Sequence, residues 1–215
     1  MITFLRKNKA FILPYIIVFL LFVPVMILVP KDTIHLYLNS FHTKTFDLFF
    51  RFITYLGDGW MPVILAVIFL FFSLRKSFFI LSSGLLAGIL AQFFKRIIFP
   101  EVVRPVKYFG TTQELYLVDG VKMHTAYSFP SGHAATIFAI CLCLAVFSKN
   151  KLVKFLLFLF AFIVAYSRVY LSQHFVNDIF GGSLLGCIVV LAMYQFFMRI
   201  DKEWMDKSIM GVFAK

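Results

Sequence analysis

The chain has 215 residues, of which 61% are hydrophobic and 14% are charged, and its mean hydropathy is +0.91. Soluble domains carry about 25% charged residues, so this composition excludes both an ordinary soluble domain and a disordered chain. The formal net charge of +11 could suggest nucleic acid. Basic residues beside membrane helices more simply report orientation, so we expect the lipid bilayer as a partner and no nucleic acid.

The apolar residues fall in stretches whose lengths suit helices that cross a hydrocarbon core of ~30 Å. We therefore predict an all-α, polytopic membrane protein that forms one domain over residues 1–215. The first stretch follows a basic N-terminal segment, but it is long and lacks a small-residue cleavage site, which favours a permanent span over a secretory signal. The six predicted transmembrane helices are residues 10–30, 59–74, 77–94, 129–147, 152–167 and 179–198.

The segment between the first two predicted spans has one apolar and one polar face at helical spacing. This pattern is typical of an amphipathic helix that lies in the membrane interface, and we expect it to cover the bundle at the surface. The apolar face holds Phe46, Phe49, Phe50, Ile53 and Leu56, and the polar face holds Lys44, Asp47, Arg51 and Thr54.

With six spans, both tails lie on the same side of the membrane. The charges of the loops on that side indicate whether it is the cytoplasmic side. The short loops on that side contain Arg75, Lys76, Lys149, Lys151 and Lys154 and no acidic residue. The positive-inside rule then predicts that both termini are cytoplasmic. The outer side is also basic, which topology alone does not explain. Its basic residues are Lys31, Lys44, Arg51, Lys95, Arg96, Arg104, Lys107, Lys122 and Arg168.

The segment Phe129-Pro-Ser-Gly-His133 opens the fourth predicted span on the outer side. It could be a plain helix start, in which Ser131 caps free N–H groups and the proline sets the backbone. It could equally bind an anion through those N–H groups, the helix dipole and the Ser131 hydroxyl, with Gly132 letting the anion approach the backbone. His133 would then point toward the same anion.

A second polar segment, Ser167 to Asp178, joins the last two predicted spans. A lone histidine at a membrane edge is most often structural, but His174 and Asp178 are four residues apart, a spacing that brings them together on a helix. A carboxylate bonded to one ring nitrogen fixes the tautomer and leaves the other nitrogen free to attack or to accept a proton. Arg168 adds a planar fork that matches phosphate oxygens.

The third polar segment contains Lys95, Arg96 and Arg104, which are either membrane-edge cations or anion ligands. Together the three segments supply cations, an anion-binding helix start, two histidines and a carboxylate, an inventory typical of phosphoryl transfer. A single nearby carboxylate offers too few hard oxygen ligands for magnesium, and the cations would repel a divalent ion. We therefore expect no metal and no cofactor.

The segments 129–133 and 167–178 resemble the second and third signature motifs of the type 2 phosphatidic acid phosphatase (PAP2) family of membrane lipid phosphatases. The resemblance implies that His174 attacks phosphorus and becomes a phosphohistidine, that Asp178 holds its tautomer, and that His133 protonates the leaving group. It also implies that the phosphoryl oxygens are held by Lys95, Arg104, Ser131, Gly132 and Arg168.

The first family motif departs from its pattern, because eight residues instead of six separate Lys95 from Arg104. Lys95 and Arg96 are adjacent, so they point about 100° apart on a helix and cannot both face one site. We favour Lys95, which precedes the loop at the end of the span, and Arg96 is the alternative.

From the resemblance we expect a metal-independent phosphatase of the inner (cytoplasmic) membrane that acts on a membrane lipid phosphate or diphosphate at the outer face of that membrane. Undecaprenyl diphosphate, phosphatidylglycerol phosphate, phosphatidic acid and the phosphates of lipid A all satisfy this expectation, and the oligomeric state stays open. One alternative is a relative of the vanadate-dependent haloperoxidases, against which six membrane spans argue. Another is a lipid or anion transporter, whose site would lie at midplane, where these spans carry no charge.

Overall fold

The computed structural model of the chain describes residues 2–111 and 115–213, and the rest of the predicted domain 1–215 lies outside the described residues. Every regular element in the described part is helical, which confirms the predicted all-α class. The α-helices described are α1 (Ile2–Lys7), α2 (Lys9–Leu28), α3 (Lys31–Asn39), α4 (Lys44–Ile53), α5 (Met61–Leu70), α6 (Leu74–Phe93), α7 (Pro105–Phe109), α8 (Gly132–Phe147), α9 (Lys151–Tyr170), α10 (Val176–Phe197) and α11 (Ile209–Phe213).

Four of these helices are long and apolar enough to cross a membrane. A fifth span arises if α4, with the 3₁₀ turn after it, and α5 are taken together, although they are bent by 61°. The predicted number of six is not confirmed within the described residues. The four long helices are Lys9–Leu28, Leu74–Ile98, Lys151–Tyr170 and Val176–Phe197.

Two of the predicted spans are shorter in the structure. α5 has 10 residues and α8 has 16, which correspond to about 15 and 24 Å of helix, against a hydrocarbon core of ~30 Å. α8 is short because Ser131 caps it, so Phe129 and Pro130 precede the helix. α5 is short because the chain turns after Leu70 and Ser73 then caps α6.

α4 is the predicted amphipathic helix, but its polar face is turned toward the protein. Asp47 accepts a hydrogen bond from the Tyr170 hydroxyl on α9 at 2.6 Å. Of the predicted apolar face, Phe46 and Phe49 are exposed, whereas Phe50 is buried in a cluster with Tyr170. Only part of the predicted apolar face is thus free to meet lipid, because α9 packs against Phe50 and also supplies a polar partner that helical periodicity alone does not reveal.

α8 is the central helix, and most of its side chains are buried. It packs against α6, α9 and α10. Gly182 and Gly186 of α10 lie directly against backbone carbonyl groups of Ser131 and Ala135, and a Cβ at either glycine would collide with them. These glycines therefore serve close packing within the chain.

The two tails and two short loops meet at one end of the bundle. Lys154, at the start of α9, donates a hydrogen bond to the Lys7 carbonyl at 2.7 Å. Arg75, at the start of α6, forms an ion pair with Asp206 at 2.6 Å. Since α6 and α9 run away from this end, their far ends gather at the opposite end of the bundle, where α8 and α10 begin.

Candidate active site

The three polar segments meet in a cavity of about 490 Å³ at the end of the bundle opposite the tails. Six of the eight predicted site residues line this cavity, and the other two, Ser131 and Asp178, are buried without lining it. The six are Lys95, Arg104, Gly132, His133, Arg168 and His174.

His174 is held by Asp178, as predicted, although His174 precedes α10 instead of lying on it. Its Nδ1 lies 3.2 Å from Asp178 Oδ2. The Ser128 hydroxyl donates to the same carboxylate oxygen at 2.5 Å, and the Phe175 N–H donates to it at 3.0 Å. This network engages Nδ1 and leaves Nε2 as the ring nitrogen available to the cavity that His174 lines.

The surroundings of His174 keep its imidazole neutral. Burial, followed by the positive charges of Arg104, Lys95 and Arg168, lowers the pKa of His174 well below its ordinary value of 6.5. A neutral imidazole whose Nδ1 proton faces a carboxylate has a free lone pair on Nε2. The arrangement therefore presents a nucleophile at neutral pH.

The start of α8 exposes its backbone to the cavity at Gly132. A Cβ there would lie 3.9 Å from Lys95 Nζ, so an anion has room to approach. The Ser131 hydroxyl instead accepts a hydrogen bond from the Ala134 N–H at 3.4 Å, and the Ser131 N–H donates to the Asp178 carbonyl at 2.9 Å. The structure thus brings Gly132, but not the Ser131 side chain, to the cavity.

Arg104 and Arg168 are held by neutral groups. The Gln173 Oε1 accepts hydrogen bonds from Arg104 Nη1 at 3.3 Å and from Arg168 Nη2 at 3.4 Å. Arg168 Nη1 also donates to Thr54 Oγ1 at 2.8 Å, and Arg104 Nε donates to the Ala126 carbonyl at 3.0 Å. The Nε of Arg168 is buried and has no partner within the described residues. Both guanidinium charges therefore remain available to an anion in the cavity.

Lys95, and not Arg96, lines the catalytic cavity. Lys95 is 4% exposed, whereas the Arg96 guanidinium lies over the Tyr127 ring, 5.6 Å from its centroid. The chain from Phe94 to Ile98 is a π-helical turn, which follows α6 without a break. The divergence of adjacent helical side chains places Lys95, and not Arg96, in this cavity with Arg104.

His133 pairs with an acidic residue that the motifs do not contain. His133 Nε2 lies 2.7 Å from Asp58 Oδ1. Asp58 follows the 3₁₀ turn that ends at Gly57 and precedes α5. The Asp58 carboxylate orients the imidazole and would stabilise a positive charge on it if His133 acts as a general acid.

Two residues with positive φ flank the site. Tyr127 has φ 57° and directly precedes Ser128, and Ser172 has φ 51° and directly precedes Gln173. This conformation costs a non-glycine residue of order 1–3 kcal/mol and persists where neighbouring contacts fix it. Asn39 supplies such a contact by donating a hydrogen bond to the Ser172 hydroxyl at 3.1 Å.

One side of the cavity is apolar and faces outward from the bundle. Leu85 and Ile89 of α6 line it and are 39% and 63% exposed, and Gly84 and Gly88 line it beside them. Because α6 carries exposed apolar side chains here, this side is open to the hydrocarbon of a membrane. The cavity thus joins a cationic floor to an apolar entrance.

Four residues around the cavity were missed by the sequence analysis, namely Asp58, Gln173, Ser128 and His124. Asp58 had the clearest signal, since an aspartate between two glycines precedes the second predicted span. The others act through contacts between distant segments, which spacing along the chain does not reveal.

Comparison with known proteins gives a consistent family. The model of the PAP2 superfamily matches residues 76–202. The lipid A 4'-phosphatase of Porphyromonas gingivalis is 28% identical over 192 residues, which cover 85% of this chain and 79% of that protein. The crystal structure of Aquifex aeolicus LpxE matches with a TM-score of 0.66 at 27% identity, over 76% of this chain and 93% of that chain.

The fold is also shared with the first transmembrane PAP2-type phosphatidylglycerolphosphate phosphatase from Bacillus subtilis. That crystal structure has a TM-score of 0.61 at 24% identity and covers 92% of this chain and 98% of its own. The family match spans more than half of this chain and contains all eight predicted site residues. The chain therefore belongs to the PAP2 superfamily, which confirms the family indicated by its motifs.

Proposed function

We propose that this protein hydrolyses a membrane lipid phosphate or diphosphate without a metal ion, through a phosphohistidine on His174. The observation that carries the proposal is the position of His174 in the cavity. Its Nδ1 is bound to Asp178, and it shares the cavity with Lys95, Arg104 and Arg168. A neutral nucleophile among uncompensated cations is suited to attack a dianionic phosphate group.

In the first step, the phosphoryl oxygens bind to Lys95, Arg104 and Arg168 and to the N–H groups at the start of α8. His174 Nε2 attacks phosphorus, and the bond from phosphorus to the oxygen of the leaving group breaks. This oxygen belongs to the lipid alcohol in a monophosphate and is the bridging oxygen in a diphosphate. His133, paired with Asp58, gives its proton to that oxygen. The products of this step are a lipid alcohol, or a lipid monophosphate from a diphosphate, and a phosphohistidine.

In the second step, a water molecule replaces the departed lipid oxygen near His133. His133 has given up its proton and now accepts one from the water, whose oxygen attacks phosphorus. The bond from phosphorus to His174 Nε2 breaks, and inorganic phosphate is released. His174 returns to its neutral form and His133 to its protonated form.

The shape of the cavity supports a lipid as substrate. A phosphate head at the cationic floor leaves the tail beside Leu85 and Ile89, which reach the outer surface of the bundle. Within this class we propose a lipid A phosphate as the first candidate, because the relative that covers 85% of the chain is a lipid A 4'-phosphatase. The other candidate substrates are undecaprenyl diphosphate, phosphatidylglycerol phosphate and phosphatidic acid.

We also propose that the protein lies in the inner membrane with both tails in the cytoplasm and the cavity on the outer side. The tails and the basic loops at Arg75 and Lys154 lie at the same end of the bundle, opposite the cavity. The excess of basic residues in those loops supports a cytoplasmic position for that end.

The test is phosphate release by the purified protein from these four lipid phosphates, with the His174→Ala variant as control. We expect release from at least one lipid by the wild-type protein, none by the variant, and no loss of activity in EDTA. Loss of activity in EDTA that one divalent ion restores would contradict the metal-free mechanism. Absence of release from every lipid would contradict the proposed function and leave transport as the alternative.

A further inference from the structure

A second cavity adjoins the catalytic one. This recess has a volume of about 290 Å³ and shares Lys95, Arg104 and His124 with the catalytic cavity. Arg96 and the loop from Thr125 to Tyr127 line the recess but not the catalytic cavity. The two cavities thus lie on either side of a common cationic wall.

The recess is strongly positive. No acidic side chain lines it, and none of the ion pairs formed among residues 2–111 and 115–213 includes Lys95, Arg96 or Arg104. Burial, followed by the charges of Arg104 and Lys122, lowers the pKa of His124, as expected where positive charges crowd together. In the proposed reaction, Lys95 and Arg104 bind the reacting phosphoryl group. Arg96 and His124 are not needed for that contact and are available to a second anion.

Arg96 is placed so that it can bind an anion. Its guanidinium lies over the ring of Tyr127, 5.6 Å from the ring centroid, within the range of a cation–π attraction. A contact between the face of the guanidinium and the ring leaves the in-plane N–H groups free to donate hydrogen bonds to an anion. Tyr127, whose backbone φ is 57°, lines the recess beside Arg96.

We propose that the recess is a second anion site that binds a phosphate-type dianion beside the reacting phosphoryl group. The ligand is either a second phosphate of the lipid substrate or the inorganic phosphate that the reaction releases. This inference rests on the proposed phosphatase activity, which supplies both ligands. With Lys95 assigned to the first motif, neither Arg96 nor His124 has a role in the three signature motifs.

The experiment compares Arg96→Gln and His124→Asn with Lys107→Gln. Lys107 is an exposed cation on α7 at the same end of the bundle and lines neither cavity, so its substitution matches the loss of charge. For each protein, kcat/KM is measured on a lipid monophosphate and on the diphosphate with the same chain. The inhibition constant of inorganic phosphate is measured on the monophosphate.

If the recess binds a second phosphate of the substrate, Arg96→Gln lowers kcat/KM for the diphosphate about tenfold relative to the monophosphate, as expected for one charge-assisted hydrogen bond. If it binds released phosphate, the same variant raises the inhibition constant about tenfold and leaves the ratio of the two substrates unchanged. His124→Asn should act in the same direction. Effects no larger than those of Lys107→Gln in both assays would overturn the proposal.

Binding of inorganic pyrophosphate, measured by calorimetry on the detergent-solubilised protein, separates this inference from the proposed function. Weaker binding by Arg96→Gln than by Lys107→Gln supports the recess even if no lipid is hydrolysed. Equal binding by the two variants overturns the recess even if the wild-type protein is an active phosphatase.

Discussion

At the scale of single residues, the two arginines of the cavity are held by neutral hydrogen-bond partners. Arg104 and Arg168 share the amide oxygen of Gln173, and the charged partner of His174 is Asp178, on the far side of its ring from the cavity. A buried cation bonded to an amide keeps its full attraction for an anion, because no carboxylate competes. The site is therefore prepared for phosphate before the substrate arrives.

We predict that His174→Ala abolishes turnover and that Asp178→Asn leaves a small residual activity. The first variant lacks the nucleophile, whereas the second keeps it in a poorer tautomer and orientation, for a loss of roughly 10²–10⁴-fold. Phosphate release from the best lipid substrate measures both. Near-normal release by His174→Ala would remove the nucleophile assignment.

We predict that Lys95→Ala and Arg104→Ala lower kcat strongly and that Arg96→Ala lowers it weakly on a lipid monophosphate. Lys95 and Arg104 line the catalytic cavity, whereas Arg96 stacks on Tyr127 outside it. Removing a contact made in the transition state lowers kcat and kcat/KM together. If Arg96→Ala lowers kcat strongly and Lys95→Ala leaves kcat nearly normal, the first motif must be assigned to Arg96 instead of Lys95.

We predict that Asp58→Asn impairs proton donation by His133 and so lowers kcat on lipid substrates by roughly 10–100-fold. The effect should shrink on an aryl phosphate whose leaving group needs no proton, a pattern that a purely structural defect does not produce. Glu101→Gln, an exposed acidic residue at the same end of the bundle, is the matched control. Equal losses on both substrates would assign Asp58 a structural role only.

At the scale of helices, the sequence predicted the class and the site better than the lengths of the spans. The motif residues were predictable because their spacing reflects local chemistry, as for His174 and Asp178. The end of α5 and the inward polar face of α4 were not, because they depend on turns and on partners such as Tyr170 from other segments. The partner of His133, Asp58, was missed for the same reason.

We predict that Gly182→Ala lowers the melting temperature and the activity, while Gly88→Ala does not lower the melting temperature. A Cβ at Gly182 collides with the Ser131 carbonyl at the start of α8, and overpacking of this kind costs about 1–3 kcal/mol. At Gly88 the nearest atom to an added Cβ is Thr136 Oγ1, at an ordinary 3.9 Å. Equal thermal stability of the two variants, measured in detergent, would argue against close packing of α8 and α10.

At the scale of the whole molecule, the bundle separates its two ends by function. One end joins the tails to basic loops through Lys154 and Arg75, and the other gathers the cationic cavity. Most side chains of α8, between these ends, are buried and apolar. We infer that chemistry is confined to one membrane face.

We predict that an impermeant thiol reagent applied to intact cells labels Asp119→Cys and not Lys149→Cys. Both positions are exposed, and they lie at opposite ends of the bundle according to the proposed orientation. Of the three native cysteines, Cys141 and Cys143 are buried and Cys187 is partly buried, so the wild-type protein is labelled in parallel as the background. Labelling of Lys149→Cys alone would invert the orientation.

The apolar entrance beside Leu85 and Ile89 has a consequence for the direction of the reaction. The lipid product can leave along this side into the bilayer, whereas phosphate is soluble only in water. Because the two products then partition into different phases, they rarely meet again in the cavity, and re-esterification needs both at once. We expect hydrolysis to run to completion even where the chemical step on the enzyme is close to thermoneutral.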